Sequence, residues 1–333
     1  MKAIKEQDGQ HVHELAQDWT WYDLKVSDWE DDLLEPLIKS YPSLKEWCKL
    51  APTFKDRNYL SVRFPDGSEP VMMGSILYKT AEDLKQDEED KPEEQKDKQL
   101  YFYLDNDVFI TFNLDQHTRE LMLKPDRIAM MKQCSRPIEG MFILARAILH
   151  YFHAGMDRFE AHLREVESIM RKRNARNLMD QILSLRFELL FWHNLFIPFQ
   201  ELIAATKEGY EDRVKDNRFY LQLLHRVERM EQLFMHYHRE IETLISIDDA
   251  VSGFRGNEIM KTLTIFTVLL TPATVVGAIW GMNFDRLPMT KAGWGFTAVM
   301  VLTLVFTGLL YIWMWRKNWT GDLLNVKSRK KNL

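Results

Sequence analysis

Two long stretches without a charged residue, residues 262–280 and 293–315, constrain the fold of this chain more than any other feature. The first contains 19 residues. As an α-helix at 1.5 Å per residue it measures about 28 Å, and the hydrocarbon core of a bilayer is roughly 30 Å thick. The sequence therefore predicts two membrane-spanning helices that follow one another as a hairpin in the lipid bilayer.

A stripe of hydroxyl groups runs along the first predicted span. Its threonines recur at spacings of 3, 4 and 3, which places them on one face of a helix. Continued backwards at the same spacing, the stripe has six members: Asn257, Met260, Thr264, Thr267, Thr271 and Thr274. The hydroxyls either bond back to carbonyls of their own helix and join neighbouring helices, or they line a pore. One helix cannot enclose a pore, so the second interpretation requires several copies around an axis, with this span innermost.

Two apolar side chains on the inner half of this span, Met260 and Leu263, have two interpretations. They form an apolar constriction that stops ions by dewetting, or they pack between neighbouring helices. The sequence alone leaves both open.

A short motif, Gly281-Met282-Asn283, follows the first span directly. It is preceded by Ala-Ile-Trp at 278–280, and the upstream residues Asn-Glu-Ile-Met-Lys at 257–261 complete the match. This arrangement, between two spans that follow a long polar chain, resembles the CorA family of divalent-cation channels and transporters. The resemblance is strongest over residues 244–317.

The resemblance implies a fold and an activity. It implies a funnel of long stalk helices, a cytosolic α/β domain, two C-terminal transmembrane helices per chain and a homopentamer. The transported ion would be Mg²⁺, with Co²⁺ and Ni²⁺ as further candidates. A ring of five Asn283 side chains would bind the hydrated ion at the outer mouth, next to Gly281 and Met282. Such amide oxygens suit Mg²⁺, which prefers oxygen ligands and gives up its water reluctantly.

Regulation by intracellular Mg²⁺ is a further implication of the resemblance, through acidic residues on the stalk helix. Aligned from the motif, the usual positions fall on Gln222 and Ser246, neither of which is acidic. Asp248 and Asp249 are the nearest acidic candidates before the first span. They form either a cation-attracting ring at the inner mouth or ordinary carboxylates paired with a neighbouring Arg or Lys.

Composition excludes several other classes of protein. The net charge of −5 gives no reason to expect nucleic acid. The two cysteines, Cys48 and Cys134, match no metal or redox spacing. We find no pairing of nucleophile and base, no phosphate loop and no His/Cys ligand spacing, so we expect neither an enzyme nor an organic cofactor. The mean hydropathy of −0.33 indicates that most of the chain is soluble.

Residues 1–155 are predicted to form the cytosolic α/β domain. Strands are expected at 19–24, 59–64 and 71–78, a hairpin at 101–112 turning at Asp105-Asn106, and one helix at 29–49. The charged run at 82–98 is interpreted as solvated disorder in preference to a metal-sensing loop. We assign it no site.

Residues 156–257 are predicted to form antiparallel accessory helices and a long stalk helix. Leu195 and Pro198 resemble a family element in which Phe199 replaces the usual arginine. A heptad seam follows, with apolar residues and one aspartate at spacings of 4 and 3: Leu223, Val227, Met230, Phe234, Tyr237, Ile241, Leu244, Asp248 and Val251. One helix of about 65 residues is expected, starting near Asp212, and the alternative is a break at Gly253 or Gly256.

Residues 258–333 complete the chain as the transmembrane hairpin with an outer loop and a basic tail. Six Lys and Arg residues but one acidic residue follow the second span, which predicts a cytosolic tail. Both termini would then be cytosolic, in a protein of the inner or plasma membrane. Three hypotheses remain: a passive Mg²⁺ channel, a transporter of another metal such as Zn²⁺ or an exporter, and a membrane-anchored interaction protein. The intact Met282 favours Mg²⁺ over Zn²⁺, by the resemblance.

Overall fold

The computed structural model describes residues 5–7, 10–14, 19–25, 34–65, 69–80, 83, 98–172, 177–282, 292–317 and 319. The chain divides into two compact units, Met1–Leu244 (unit 1) and Ile245–Leu333 (unit 2). The division at residues 155 and 257 stays a prediction. Residue 155 lies inside a helix that runs from Pro137 to Arg171.

Unit 1 begins with a sheet of seven strands in the order β1-β2-β3-β7-β6-β5-β4. The pairing of β3 with β7 is parallel and the other pairings are antiparallel. The strands are β1 Lys5–Gln7, β2 Gln10–Glu14, β3 Thr20–Leu24, β4 Tyr59–Arg63, β5 Val71–Tyr78, β6 Lys98–Leu104 and β7 Val108–Phe112. The predicted strands and the hairpin are confirmed, and the Asp105 amide donates to the Val108 carbonyl at 3.0 Å across the turn. Strands β1 and β2 were not predicted, because they are short and polar. Most of the charged run at 82–98 lies outside the described residues.

The prediction of a single helix at 29–49 was wrong for the described residues, 34–49. The structure has α1, Glu35–Ser40, and α2, Pro42–Leu50, followed by a 3₁₀ turn at Ala51–Phe54. Tyr41 separates them with φ −125° and ψ 88°. Pro42 disfavours a helical conformation at the residue before it, and a proline fits the first turn of a new helix. The proline therefore converts one amphipathic segment into two helices.

Helices cover both faces of the sheet. Trp47 of α2 is fully buried and stacks on Tyr59 with ring centroids 5.9 Å apart. On the other face, a Cβ added to Gly140 would lie 2.8 Å from Trp19. Two short helices, α3 at Gln116–Met122 and α4 at Pro125–Met131, connect the sheet to the long helices.

A buried ion pair joins the sheet to α3. The Asp23 side chain is fully buried, and its carboxylate accepts from Arg119 Nε at 2.5 Å. Its other oxygen accepts from Thr111 Oγ1 at 3.0 Å, and that hydroxyl accepts from Trp21 Nε1 at 3.1 Å. Arg119 also donates to the Leu114 carbonyl at 2.9 Å. Strands β3 and β7 and helix α3 thus share one hydrogen-bonded network.

Three long helices follow: α5 at Pro137–Arg171, α6 at Leu178–Val214 and α7 at Arg218–Trp280. Helices α5 and α6 pack through aromatic side chains. The ring of Phe152 contacts Trp192 and Phe199 edge-on, both at 5.6 Å between centroids. Phe199, for which the sequence resemblance led us to expect an arginine, is therefore a fully buried core residue.

The heptad seam of α7 is buried from Leu223 to Leu244 within unit 1. Tyr237 packs on Phe159 of α5 at 5.1 Å, and Phe234 packs on Phe196 of α6 at 5.2 Å between ring centroids. This part of the seam is therefore filled by the chain's own helices. The last two seam positions lie in unit 2 and are less buried there: Asp248 is half-buried and Val251 is exposed.

Helix α7 is continuous through Gly253 and Gly256, so the predicted long helix is confirmed and the alternative break was wrong. Its start is six residues later than expected from Asp212. Helix α6 ends at Val214, and Asn217 caps the new helix by accepting from the amides of Phe219 and Tyr220 at 2.9 and 3.1 Å.

Unit 2 contains the rest of α7 and a second helix, α8, at Gly295–Arg316. Both helices are long and apolar enough to cross a membrane. In each helix only 6% of the apolar 18-residue segment is buried. A core helix of a soluble protein would be mostly buried. The two predicted spans are therefore present as helices, and a groove of about 540 Å³ separates them, lined by Val268, Pro272, Val276, Leu302 and Phe306 among others.

Replacing Gly155 by alanine should destabilise unit 1. A Cβ at this position would lie 2.3 Å from Cζ2 of Trp192, so α5 and α6 would have to move apart. Overpacking of this kind costs about 1–3 kcal/mol. Urea unfolding followed by circular dichroism measures the loss. Gly253→Ala is the control, because a Cβ at Gly253 meets nothing within 4 Å; an equal loss in both variants would contradict the packing explanation.

Candidate functional site

The stripe residues of α7 all lie on its exposed surface within unit 2. Met260 is 62% exposed, and each of the four threonines is exposed. Most of the side chains that face α8 are apolar ones outside the stripe: Val268, Pro272 and Val276 line the groove between the two helices. Thr271 also borders that groove. The structure therefore places the stripe on a face that α8 leaves largely uncovered.

Each threonine of the stripe donates its hydroxyl proton to the carbonyl four residues before it. The distances are 2.8 Å from Thr264 to Met260, 2.9 Å from Thr267 to Leu263, 2.6 Å from Thr271 to Thr267 and 3.0 Å from Thr274 to Leu270. Of the two interpretations given by the sequence, bonding back to the helix's own carbonyls is therefore the geometry seen in the single chain. With its proton engaged, each hydroxyl oxygen can only accept a further hydrogen bond.

An exposed row of acceptors is suited to the hydration shell of a cation. Water bound to a cation turns its oxygen to the ion and its hydrogens outwards, so the shell presents donors. Hydroxyl oxygens with engaged protons present acceptors only. The back-bonding therefore leaves the stripe chemically compatible with a path for a hydrated cation.

The remaining predicted pathway residues are also exposed on α7. Asn257 is exposed, and Leu263, one turn before Thr267, is 60% exposed. Helix α7 ends at the motif: the Gly281 amide donates to the Gly277 carbonyl at 2.9 Å, and Met282 is 50% exposed. A Cβ on Gly281 would lie 2.9 Å from the Gly277 oxygen, so this turn favours glycine. Asn283 lies outside the described residues.

Among the described residues of the single chain, the candidate regulatory carboxylates form no metal site. Asp248 is half-buried and Asp249 is exposed. No group of three or more His, Cys, Asp or Glu side chains that could hold a metal occurs in the described part of the chain. Neither aspartate has a salt bridge to a described Arg or Lys. Their role as a Mg²⁺ site stays a prediction.

Gln222, which the sequence resemblance aligned with a position expected to be acidic, lies in basic surroundings. Its amide oxygen accepts a hydrogen bond from Arg146 of α5. Burial, with the charge of Arg226 in addition, lowers the pKa of both His150 and His153 on the same helix. Sequence analysis missed this grouping. The only local signal was that basic residues share a helix face: Arg146, His150 and His153 recur at spacings of 4 and 3 on α5.

Comparison with known proteins decides the family. Residues 77–317 match the model of the family described as CorA-like Mg²⁺ transporter protein. The chain belongs to this family. The CorA-like family is a transporter family and not a class of enzymes, and the two apolar helices agree with a location in the membrane.

Relatives within the CorA-like family cover the chain to different extents. It is 27% identical over 318 residues to the magnesium transport protein CorA of Bacillus subtilis, covering 95% of this chain and 96% of that protein. It is 26% identical over 165 residues to the cobalt/magnesium transport protein CorA of Methanocaldococcus jannaschii. That match covers 48% of this chain and 50% of the archaeal protein. The complete structure of that archaeal magnesium transporter has a TM-score of 0.62 at 20% identity, covering 93% and 95%. The last comparison shows the shared fold.

Proposed function

We propose that this chain forms a passive channel for Mg²⁺, driven by the membrane potential, with Co²⁺ and Ni²⁺ as further cargo. The observation that carries the proposal is the exposed face of α7, on which four threonines present acceptor oxygens away from most of α8. The free acceptor positions of these hydroxyl oxygens find donors in a water-filled path or on a neighbouring helix, and none in lipid. Full-length similarity to a magnesium transport protein supports Mg²⁺ as the cargo.

The pathway would form from several copies of α7 around one axis. We propose five copies, as the family resemblance implies, so that Asn283 forms a ring at the outer mouth. Its neutral amide oxygens would contact the water shell of Mg²⁺, because a tight carboxylate cage would trap the ion. Met260 and Leu263 would form the apolar constriction on the inner half of the same face.

Both termini are proposed to be cytosolic, in the inner or plasma membrane. The membrane potential then acts directly on the transported ion. A potential of 100 mV contributes about 2.3 kcal/mol per elementary charge, so a divalent ion gains roughly 4.6 kcal/mol on entry into a negative cell. No nucleotide is needed to drive uptake.

Asp248 and Asp249 are proposed as the site where intracellular Mg²⁺ acts on the channel. Gln222 is less suited to that role, since it is neutral and bonded to Arg146. Two carboxylates per chain, repeated around an axis, would supply oxygen ligands from neighbouring subunits. The usual stalk position would then have no part in regulation.

Transport is tested by Mg²⁺ uptake into proteoliposomes that contain a Mg²⁺-sensitive dye. Uptake that rises with an inside-negative potential supports the channel. Absence of Mg²⁺ flux at every potential would overturn it. Zn²⁺ flux or a requirement for a proton gradient would then favour the second hypothesis, and no ion flux at all would favour an interaction protein.

Removing two stripe hydroxyls should slow Mg²⁺ conduction. Thr264→Val with Thr267→Val keeps the side-chain shape but removes two acceptors, and we expect roughly a tenfold lower uptake rate. Thr303→Val is the matched control: Thr303 donates to the Val299 carbonyl at 2.8 Å in the same way but lies in the groove between the spans. Equal Mg²⁺ uptake rates in the stripe variant and the Thr303 control would mean that the ion does not pass along the stripe.

A further inference from the structure

A cluster of basic side chains in unit 1 has no role in the proposed pathway. Helix α5 contributes Arg146, and α7 contributes three arginines at spacings of 8 and 3, which lie on one face. The residues of this basic cluster are Lys124, Arg127, Arg146, Arg218, Arg226 and Arg229. Within the described ranges none of the six forms a salt bridge with a carboxylate. The charges of the cluster are therefore not neutralised within the described chain.

The fold brings the two central arginines, Arg146 and Arg226, together. Arg226 Nη1 donates to the Arg146 carbonyl at 2.9 Å, and Arg146 donates to Gln222. The Nε atoms of both arginines are buried and have no hydrogen-bond partner in the described structure. A buried donor without an acceptor is unfavourable, because it has lost its hydrogen bond to water and gained none in return. The geometry thus leaves two buried donors in a region of positive charge.

The electrostatic environment agrees with this geometry. Burial, and then the charges of Arg146, Arg229 and Arg127, lowers the pKa of Arg226 to about 10. Burial followed by Arg127 and Arg218 lowers the pKa of Arg146. Both groups remain charged at neutral pH. Positive charge therefore accumulates here at an unfavourable energy that an anion would relieve.

We propose that the basic cluster binds a chain of linked phosphates, as in a nucleoside triphosphate or inorganic tripolyphosphate. Guanidinium groups pair with phosphate oxygens in a bidentate geometry. A triphosphate concentrates several negative charges in one small molecule, which matches several cations contributed by three helices. Lys124, Arg218 and Arg229 are exposed and the other three side chains are half-buried, so the cluster is reachable from solvent. The proposal does not depend on ion transport.

Isothermal titration of the full-length protein in detergent, in buffer without Mg²⁺, tests the site. We expect saturable binding of tripolyphosphate and of ATP but none of adenosine. Tighter binding of ATP would identify a nucleotide as the ligand, and equal binding would identify the phosphate chain alone. Both ligands should also raise the thermal unfolding temperature, because they bind the folded state only.

Two variants locate the binding. Arg226→Gln and Arg229→Gln should each weaken tripolyphosphate binding about tenfold, the loss of roughly one charge-assisted hydrogen bond. Arg229 is exposed, so this variant keeps its fold. Arg239→Gln is the control, an exposed arginine on the same helix outside the cluster; its affinity should equal that of the wild type.

Three outcomes would overturn the proposal. The first is no saturable binding of either phosphate compound. The second is unchanged affinity in both cluster variants. The third combines two results: the wild type binds neither tripolyphosphate nor ATP, and the Arg226 and Arg229 variants have a lower oligomeric mass in light scattering. That result would show that carboxylates of a second copy of the chain neutralise the cluster.

Discussion

Replacing Asn283 by alanine should abolish potential-driven Mg²⁺ uptake. In the proposed ring, the change removes five amide oxygens that contact the water shell of the ion. At about 1 kcal/mol for each hydrogen bond, the loss of even three contacts lowers occupancy more than roughly a hundredfold. Dye-containing proteoliposomes with an inside-negative potential measure the effect as an initial uptake rate.

Two further variants make this result specific. Asn283→Gln keeps the amide but moves it, so an intermediate uptake rate is expected. Asn194→Ala removes an exposed amide from α6 in unit 1, and its uptake should equal that of the wild type. Wild-type uptake in Asn283→Ala, with unchanged oligomeric mass in light scattering, would show that the amide does not recognise the ion.

Asp23→Ala should cause the largest loss of stability in unit 1. The carboxylate is fully buried and accepts from Arg119 at 2.5 Å and from Thr111 at 3.0 Å. Removing one partner of a buried ion pair leaves the other charge uncompensated, which costs about 3–5 kcal/mol. Urea unfolding followed by tryptophan fluorescence measures this change in the free energy of unfolding.

The surrounding helix offers a matched control for Asp23. Glu120 lies on α3 next to Arg119, but it is exposed and accepts a hydrogen bond from the exposed side chain of Gln116. Glu120→Ala should change stability by less than about 0.5 kcal/mol. Adding Arg119→Met to Asp23→Ala should restore part of the loss, since no unpaired charge remains. Equal stability of the Asp23 and Glu120 variants would mean that the buried pair contributes little.

The spans and the continuous α7 could be predicted from the sequence because one local physical effect decides each of them. Absence of charge over 19 residues indicates a span whatever surrounds it. A glycine in a helix costs only about 1 kcal/mol, too little to break α7 at Gly253 or Gly256. The hairpin of β6 and β7 was predicted for a similar reason, since Asp105-Asn106 is a local turn signal between two strand-forming runs.

Other features depend on which parts of the chain meet in space. Periodicity located the seam of α7, but it could not show that Phe159 and Phe196 of the same chain fill it. The basic cluster joins residues as far apart as Lys124 and Arg229. Strands β1 and β2 are too short and polar for an alternation signal. They depend on pairing in the sheet, where β2 pairs with β3 and β1 pairs with β2. The break at Tyr41 had a local signal in Pro42, which the prediction of one helix passed over.

All of unit 1, Met1–Leu244, is synthesised before either span. At about 5–20 residues per second, the ribosome needs roughly 2 to 7 s to pass from Leu244 to the end of the first span. The seam of α7 can meanwhile close on α5 and α6, because its partners are already made. A subunit can therefore reach the membrane with its soluble core folded, and insertion of the hairpin and assembly with other copies become late steps of biogenesis.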